Sequence, residues 1–138
     1  MPTTAVPFSA RLPRSVVEGL KGFARRQGIS ASAAAARILE ESLRMDRHPG
    51  IDFRTTKTGR RAFVTGTGLA VWELEMIRAH HRGDRKAVLR GYPGLTEAQM
   101  EAAARYAEDC PAEIREDLER AQPRDVRKAY PFLTRVAV

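Results

Sequence analysis

One cysteine, Cys110, stands in 138 residues, so no disulfide framework can form within the chain, and the usage fits a reducing compartment. Aromatic residues make up only 7% and apolar residues 43%, which can bury a modest core per module, and 138 residues leave room for one ordinary domain or two very small ones, which excludes a large multidomain enzyme. No apolar run approaches the ~18 residues that cross a bilayer, and the amino terminus lacks the charged start and apolar stretch of a secretory signal. A cytoplasmic protein with no membrane partner is expected. There is no Gly-x-x-x-x-Gly-Lys, and Val71 stands where a third glycine would complete Gly66-x-Gly68, which excludes phosphate-loop and dinucleotide motifs. The Gly-x-Ser-x-Gly turn that presents a nucleophilic serine is also missing. His80 and His81 are neighbours that diverge by about 100° on a helix, leaving His48 and Cys110 as the other soft ligands; no metal is expected. Glu40-Glu41, Glu73-x-Glu75 and Glu116-Asp117 have the spacing of solvated helix faces rather than acid-base pairs. The sequence therefore predicts no cofactor and no enzyme, and a small hydrolase is disfavoured because no nucleophile can be matched with a base.

Cations are plentiful, and only four of the 24 are lysine. Arginine grips phosphate and carboxylate through two parallel hydrogen bonds, although base composition of the genome can give the same bias. Residues 1–50 carry eight basic and four acidic side chains, and residues 51–95 carry nine and four. The sign reverses over residues 96–110, with one and four, and the end of the chain is nearly balanced at six and five. The positive field belongs to the first two thirds, which is either a solvated surface or the footprint of a polyanion.

Val6, Phe8, Ala10 and Leu12 alternate with Pro7, Ser9 and Arg11, the period of a half-buried strand that stops at Pro13. From Arg14 the apolar spacing becomes three and four through Val16, Val17, Leu20, Phe23 and Ala24, predicting a helix to about Gln27. Gly28 ends it, Ser30 caps a second helix, and Ala34, Ala35, Ile38, Leu39 and Leu43 form a narrow apolar face. Arg44 to Gly50 reads as fraying and a break. One short strand with two unpaired edges and two Ala-rich helices bury too little to stand alone. The economical solution is a homodimer in which two strands pair and four helices share a core.

Phe8-Ser9-Ala10-Arg11-Leu12-Pro13, the helix, Gly28 and the serine-containing start of a second helix resemble the ribbon-helix-helix fold of the Arc and MetJ type repressors, over about residues 5–45. That resemblance implies a paired ribbon in the major groove of double-stranded DNA. Pro7, Ser9 and Arg11 would face the groove, and the amides near Ser30 and Ser32 would hold a phosphate. Arg11 is the candidate for a base contact, its fork matching guanine O6 and N7. Pro7 departs from the family pattern, since it offers neither an amide hydrogen nor a polar side chain. The bland alternative is a unit that dimerises without reading DNA.

A second module begins near Ile51. Phe53-Arg54 and Arg61-Ala62-Phe63-Val64 flank Thr58-Gly59, predicting a short hairpin. Arg54, Lys57, Arg60 and Arg61 lie on or beside it and are candidates to follow a phosphate backbone, or else a solvated hairpin tip. A helix from Val71 to near Gly83 follows, with Trp72 a buried anchor. Asp84 caps a brief helix to Leu89, and Thr96 with Gln99 opens another that ends before Pro111. The hairpin and three short helices read as a winged, helix-turn-helix-like module.

Pro49-Gly50, Gly66-Thr67, Val71-Trp72 and Tyr92-Pro93-x-Leu95-Thr96 through Ala103 and Tyr106-Ala107 resemble a bacterial family of unknown function over about residues 48–110. Its members are commonly fused or linked to antitoxins of VapB type, encoded beside a PIN-like ribonuclease toxin. Gly68 stands where that family commonly has arginine. The remaining residues predict a helix from about Ala112 to Ala121, then a break at Gln122-Pro123. The apolar Tyr130, Phe132 and Leu133 dock on the protein's own core or on a partner.

The fold class expected is mainly α with short β. A ribbon-helix-helix DNA-binding and dimerisation domain is expected over residues 1–47, a hairpin and helical domain over 48–110, and a helical tail, a candidate toxin-binding segment, over 111–138. The function expected is a dimeric, operator-binding antitoxin that neutralises a PIN-like nuclease; the alternative is a homodimeric scaffold that binds no DNA.

Overall fold

A computed structural model describes residues 4–121. Its elements in chain order are α1 (Arg14–Gln27), α2 (Ala31–Arg47), β1 (Ile51–Thr56), β2 (Gly59–Val64), α3 (Val71–His80), α4 (Arg85–Gly91), α5 (Glu97–Asp109) and α6 (Pro111–Arg120). The described chain is thus mainly helical with one two-stranded antiparallel sheet, and no described helix is long and apolar enough to cross a membrane. It divides into two units, the first ending at Glu40 and the second beginning at Glu41.

In the first unit, the carbonyl of Pro13 accepts from the amides of Val16 and Val17, starting α1 directly after the proline. Gly28 ends that helix in the left-handed conformation, φ 67°. Its amide donates to the Arg25 carbonyl, while the Ile29 amide reaches the Ala24 carbonyl at 3.0 Å, the paired closure that left-handed glycine permits. Ser30 Oγ then accepts from the Ala33 amide at 3.1 Å and caps α2, as the sequence predicts. Among the described residues of this unit, only Ala24 and Ala34 are buried.

Residues 6–12, expected as a strand, do not form one in this single chain. Residues 4–13 lie outside regular structure and are all exposed, because a ladder requires a second strand and the one sheet among the described residues is β1 with β2. The second helix also runs to Arg47 rather than fraying from Arg44. The Arg44 guanidinium donates to Glu113 Oε1 at 2.8 Å and to the Tyr106 hydroxyl at 3.2 Å, and Arg44 and Arg47 both suit the negative end of the helix dipole.

The second unit is organised around α3 and α5. Leu74 and Ile77 of α3 pack with Met100, Ala103 and Tyr106 of α5, and Ile51, Ala62, Val64, Val71, Val88, Leu95 and Ile114 complete the cluster. Trp72 packs against that cluster, half-buried. The hairpin is longer than expected, pairing Ile51 with Val64 through Thr56 with Gly59, and its turn is Lys57-Thr58 rather than Thr58-Gly59. Thr67 Oγ1 donates to the Val64 carbonyl at 2.7 Å and accepts from the Leu69 amide at 3.0 Å, fixing the turn into α3. Asp84 caps α4, and Thr96 with Gln99 forms the expected reciprocal cap on α5.

Pro111 occupies the first turn of α6, where its missing amide hydrogen costs nothing. This helix is part of the unit: Ile114 enters the core, and Glu113 and Asp117 bond to α2, α5 and β2. Tyr130, Phe132 and Leu133 lie outside the described residues.

Gly50 sits where β1 begins beside α5, and a Cβ there would fall 2.6 Å from the Ala102 Cβ. Gly50→Ala is expected to destabilise the chain by about 1–3 kcal/mol through overpacking, read as a lower urea midpoint at unchanged slope.

Candidate nucleic-acid interface

The structure separates the residues that the sequence assigns to DNA into two groups. Pro7, Ser9 and Arg11 are exposed in the arm before α1, and Ser30 and Ser32 are exposed at the start of α2. Neither face of the alternating segment is covered: Val6 is 78% and Phe8 83% exposed. The Ser30 hydroxyl oxygen is occupied with the Ala33 amide, so an anion at this end would meet amides nearer Ala31 and Ser32. Neither of these helices has an acidic residue in its first turn, which keeps the positive end of the dipole uncompensated. The same unit holds further cations that the sequence reading passed over. Arg14, Arg25, Arg26 and Arg37 have no carboxylate within ion-pair distance among the described residues.

The hairpin arginines differ: Arg54, Arg60 and Arg61, expected to follow a phosphate backbone or to form a solvated hairpin tip, each have partners within the chain. Arg54 makes a bidentate pair with Asp52 at 2.7 and 3.2 Å, donates to the Thr67 carbonyl at 2.8 Å, and lies 4.7 Å from the Phe63 ring centre. The pair holds the Asp52 carboxyl below its ordinary range, the hydrogen bond from Arg54 being the main cause. Arg60 makes a second bidentate pair, with Glu41 of α2 at 2.5 and 3.1 Å. Arg61 is only 8% exposed; its Nε lies 3.1 Å from Asp117 Oδ1, while its other nitrogens donate to the Arg60 and Thr58 carbonyls. Each guanidinium fork is filled by its own protein, leaving Lys57, exposed at the turn, as the one hairpin candidate whose charge is uncommitted among the described residues.

A polar cluster missed by the sequence reading joins α2, α5 and α6. The buried Tyr106 hydroxyl donates to Glu113 Oε2 and accepts from Arg44. Burial, reinforced by Glu113, pushes the Tyr106 phenol far above its ordinary range. His48 stands edge-on to the Tyr106 ring and bonds through Nε2 to Asp109 at 2.8 Å. Cys110 follows, and burial raises its thiol despite Arg44, the opposite of the shift that activates a nucleophile. Nothing in the spacing of Arg44, Tyr106 and Glu113 announces this cluster, because it forms between three separate helices.

Compared with protein-family models, with curated proteins and with solved structures, the chain has no match.

Burial pushes the Asp117 carboxyl up to about 6, with Arg61 opposing the shift. A carboxyl whose folded value exceeds its unfolded value makes the native state bind the extra proton, so its contribution to stability falls as pH rises between about 4 and 6. The unfolding free energy of the parent minus that of Asp117→Asn is therefore expected to increase by on the order of 1 kcal/mol from pH 7 to pH 5. A difference that stays flat in urea titrations across that window would contradict the assignment.

Proposed function

We propose that the protein is a homodimeric, DNA-binding antitoxin whose first unit pairs with a second copy through residues 6–12 and presents Ser9 and Arg11 to the major groove. The observation that carries this reading is the unfinished state of that unit. An exposed alternating arm runs into Pro13, two capped helices follow, and Val6, Phe8, Leu12, Val16 and Leu39 remain in solvent. A second copy supplies both the missing strand neighbour and the cover for those side chains. The unpaired arginines of the same unit supply phosphate contacts whose release of counterions drives binding. No covalent chemistry is required. The second unit serves as a winged, helix-turn-helix-like accessory, and residues beyond Ala121, including Tyr130, Phe132 and Leu133, cover a PIN-like nuclease in the cytoplasm. The toxin half of the proposal rests on the resemblance of residues 48–110 to an antitoxin-linked family.

One observation favours the scaffold alternative: the hairpin arginines are spent on internal carboxylates, which reduces the cations available to DNA. A gel-shift series in rising salt, with duplex from the region upstream of the reading frame and with random duplex, decides between the two. Arg11→Ala is expected to weaken binding to the upstream duplex by about 1–3 kcal/mol and to narrow its preference over random DNA. Parent protein that shifts neither duplex at low salt favours the scaffold. For the toxin, removal of residues 122–138 is expected to free the nuclease encoded next door while operator binding survives, since α6 and the core stay intact. Full inhibition by the truncated chain, measured in a ribonuclease assay, contradicts the tail assignment.

A further inference from the structure

The second unit neutralises most of its arginines internally. Arg44, Arg47, Arg54, Arg60, Arg61, Arg78, Arg85, Arg105 and Arg120 each lie within 4.0 Å of a carboxylate. Among the described residues of that unit, the cations without such a partner are Lys57, Arg82, Lys86, Arg90 and Arg115. Three of these five fall within nine consecutive residues at the corner between α3 and α4, and all three are exposed.

The corner is built so that these charges face away from the core. Val88 of α4 is fully buried. Lys86 and Arg90 stand two residues to either side of it, each about 200° around the helix, so they share the opposite face one turn apart. Arg85, on another side of α4, turns to Glu101 at 2.9 Å. Asp84, the one carboxylate within residues 79–91, has its Oδ1 engaged with the Ala87 amide. Arg82 precedes the helix with φ 54°, the one described non-glycine residue in the left-handed region. Asparagine or glycine would adopt that conformation more easily, so an exposed arginine there is a charge kept in place against a local backbone preference.

We propose that this corner is a second contact to the phosphate backbone of duplex DNA, with Lys86 and Arg90 as its principal contacts and Arg82 beside them. The inference rests on the DNA-binding reading and moves the second unit's contact from the hairpin to α4. The contact reads no bases, so it adds affinity without sequence preference. Because both contacts belong to one chain, the second forms at the high effective concentration set by the first.

The experiment compares two full-length variants that lose equal charge. Lys86→Gln/Arg90→Gln empties the corner, and Arg115→Gln/Arg120→Gln removes two exposed charges from α6; unchanged melting curves confirm folding. Both are titrated with upstream duplex and random duplex across a salt series. The corner variant is expected to bind both duplexes about tenfold more weakly, with the slope of log K against log salt reduced by about two. The control is expected to stay within about threefold of the parent. Equal losses in the two variants, or parent affinity and slope in the corner variant, would overturn the proposal. If Arg11→Ala still loses selectivity in that case, the DNA reading stands and the corner alone falls. If the parent binds neither duplex, both fall.

Discussion

Uncovered apolar surface in the first unit is the constraint on which the rest depends. Two alanines are the only buried residues among those described in the unit, while Phe8 is 83% exposed and Leu39, on the same helix as the buried Ala34, is 54% exposed. Alanine contributes little area to a core, and a short arm without a neighbour leaves its amides and carbonyls to water. The sharp local signals at Pro13, Gly28 and Ser30 show that the backbone is well specified even where the packing is incomplete. A unit with definite elements and an unfilled core has the character of half a structure, which is why a second copy is the proposed completion.

The second unit has the reverse economy. Its core is closed by large side chains, with Tyr106, Leu74 and Ile77 fully buried, and most of its arginines are held in ion pairs, those of Arg44, Arg60 and Arg61 tying α2, β2 and α6 together. Such pairs contribute modestly to stability in solvent and cost much to break when buried. They therefore fix the position of elements more than they strengthen the whole. The same sorting leaves unpaired positive charge in the first unit, at Lys57 and Arg115, and at the corner of Arg82, Lys86 and Arg90; the proposed DNA contacts are placed in the first unit and at that corner.

Local features were legible in the sequence and remote pairings were not. The period of three and four at Val16–Ala24, the left-handed Gly28, the Ser30 cap and the Thr96–Gln99 cap all follow from neighbours within a turn, and each lies where it was expected. Of the hairpin arginines, only the fate of Arg54 was within reach, because Asp52 stands two residues away on the same face of β1. Glu41 and Asp117 reach Arg60 and Arg61 from α2 and α6, and no spacing rule connects residues that far apart. The end of α2 was misplaced for the same reason: the contacts that hold Arg44 come from Tyr106 and Glu113. The alternation at residues 6–12 describes what a segment can pair with and not whether one chain supplies the partner, which is why it predicts a strand that the single chain does not form.

Nuclear magnetic resonance on a mixture of two differently isotope-labelled copies tests the dimer most directly. The proposed ribbon requires cross-strand contacts between residues 6–12 of one label and the same residues of the other, with Phe8 and its neighbours protected from exchange. Arms that give random-coil shifts and no contact between labels, at concentrations where the protein binds DNA, would contradict it.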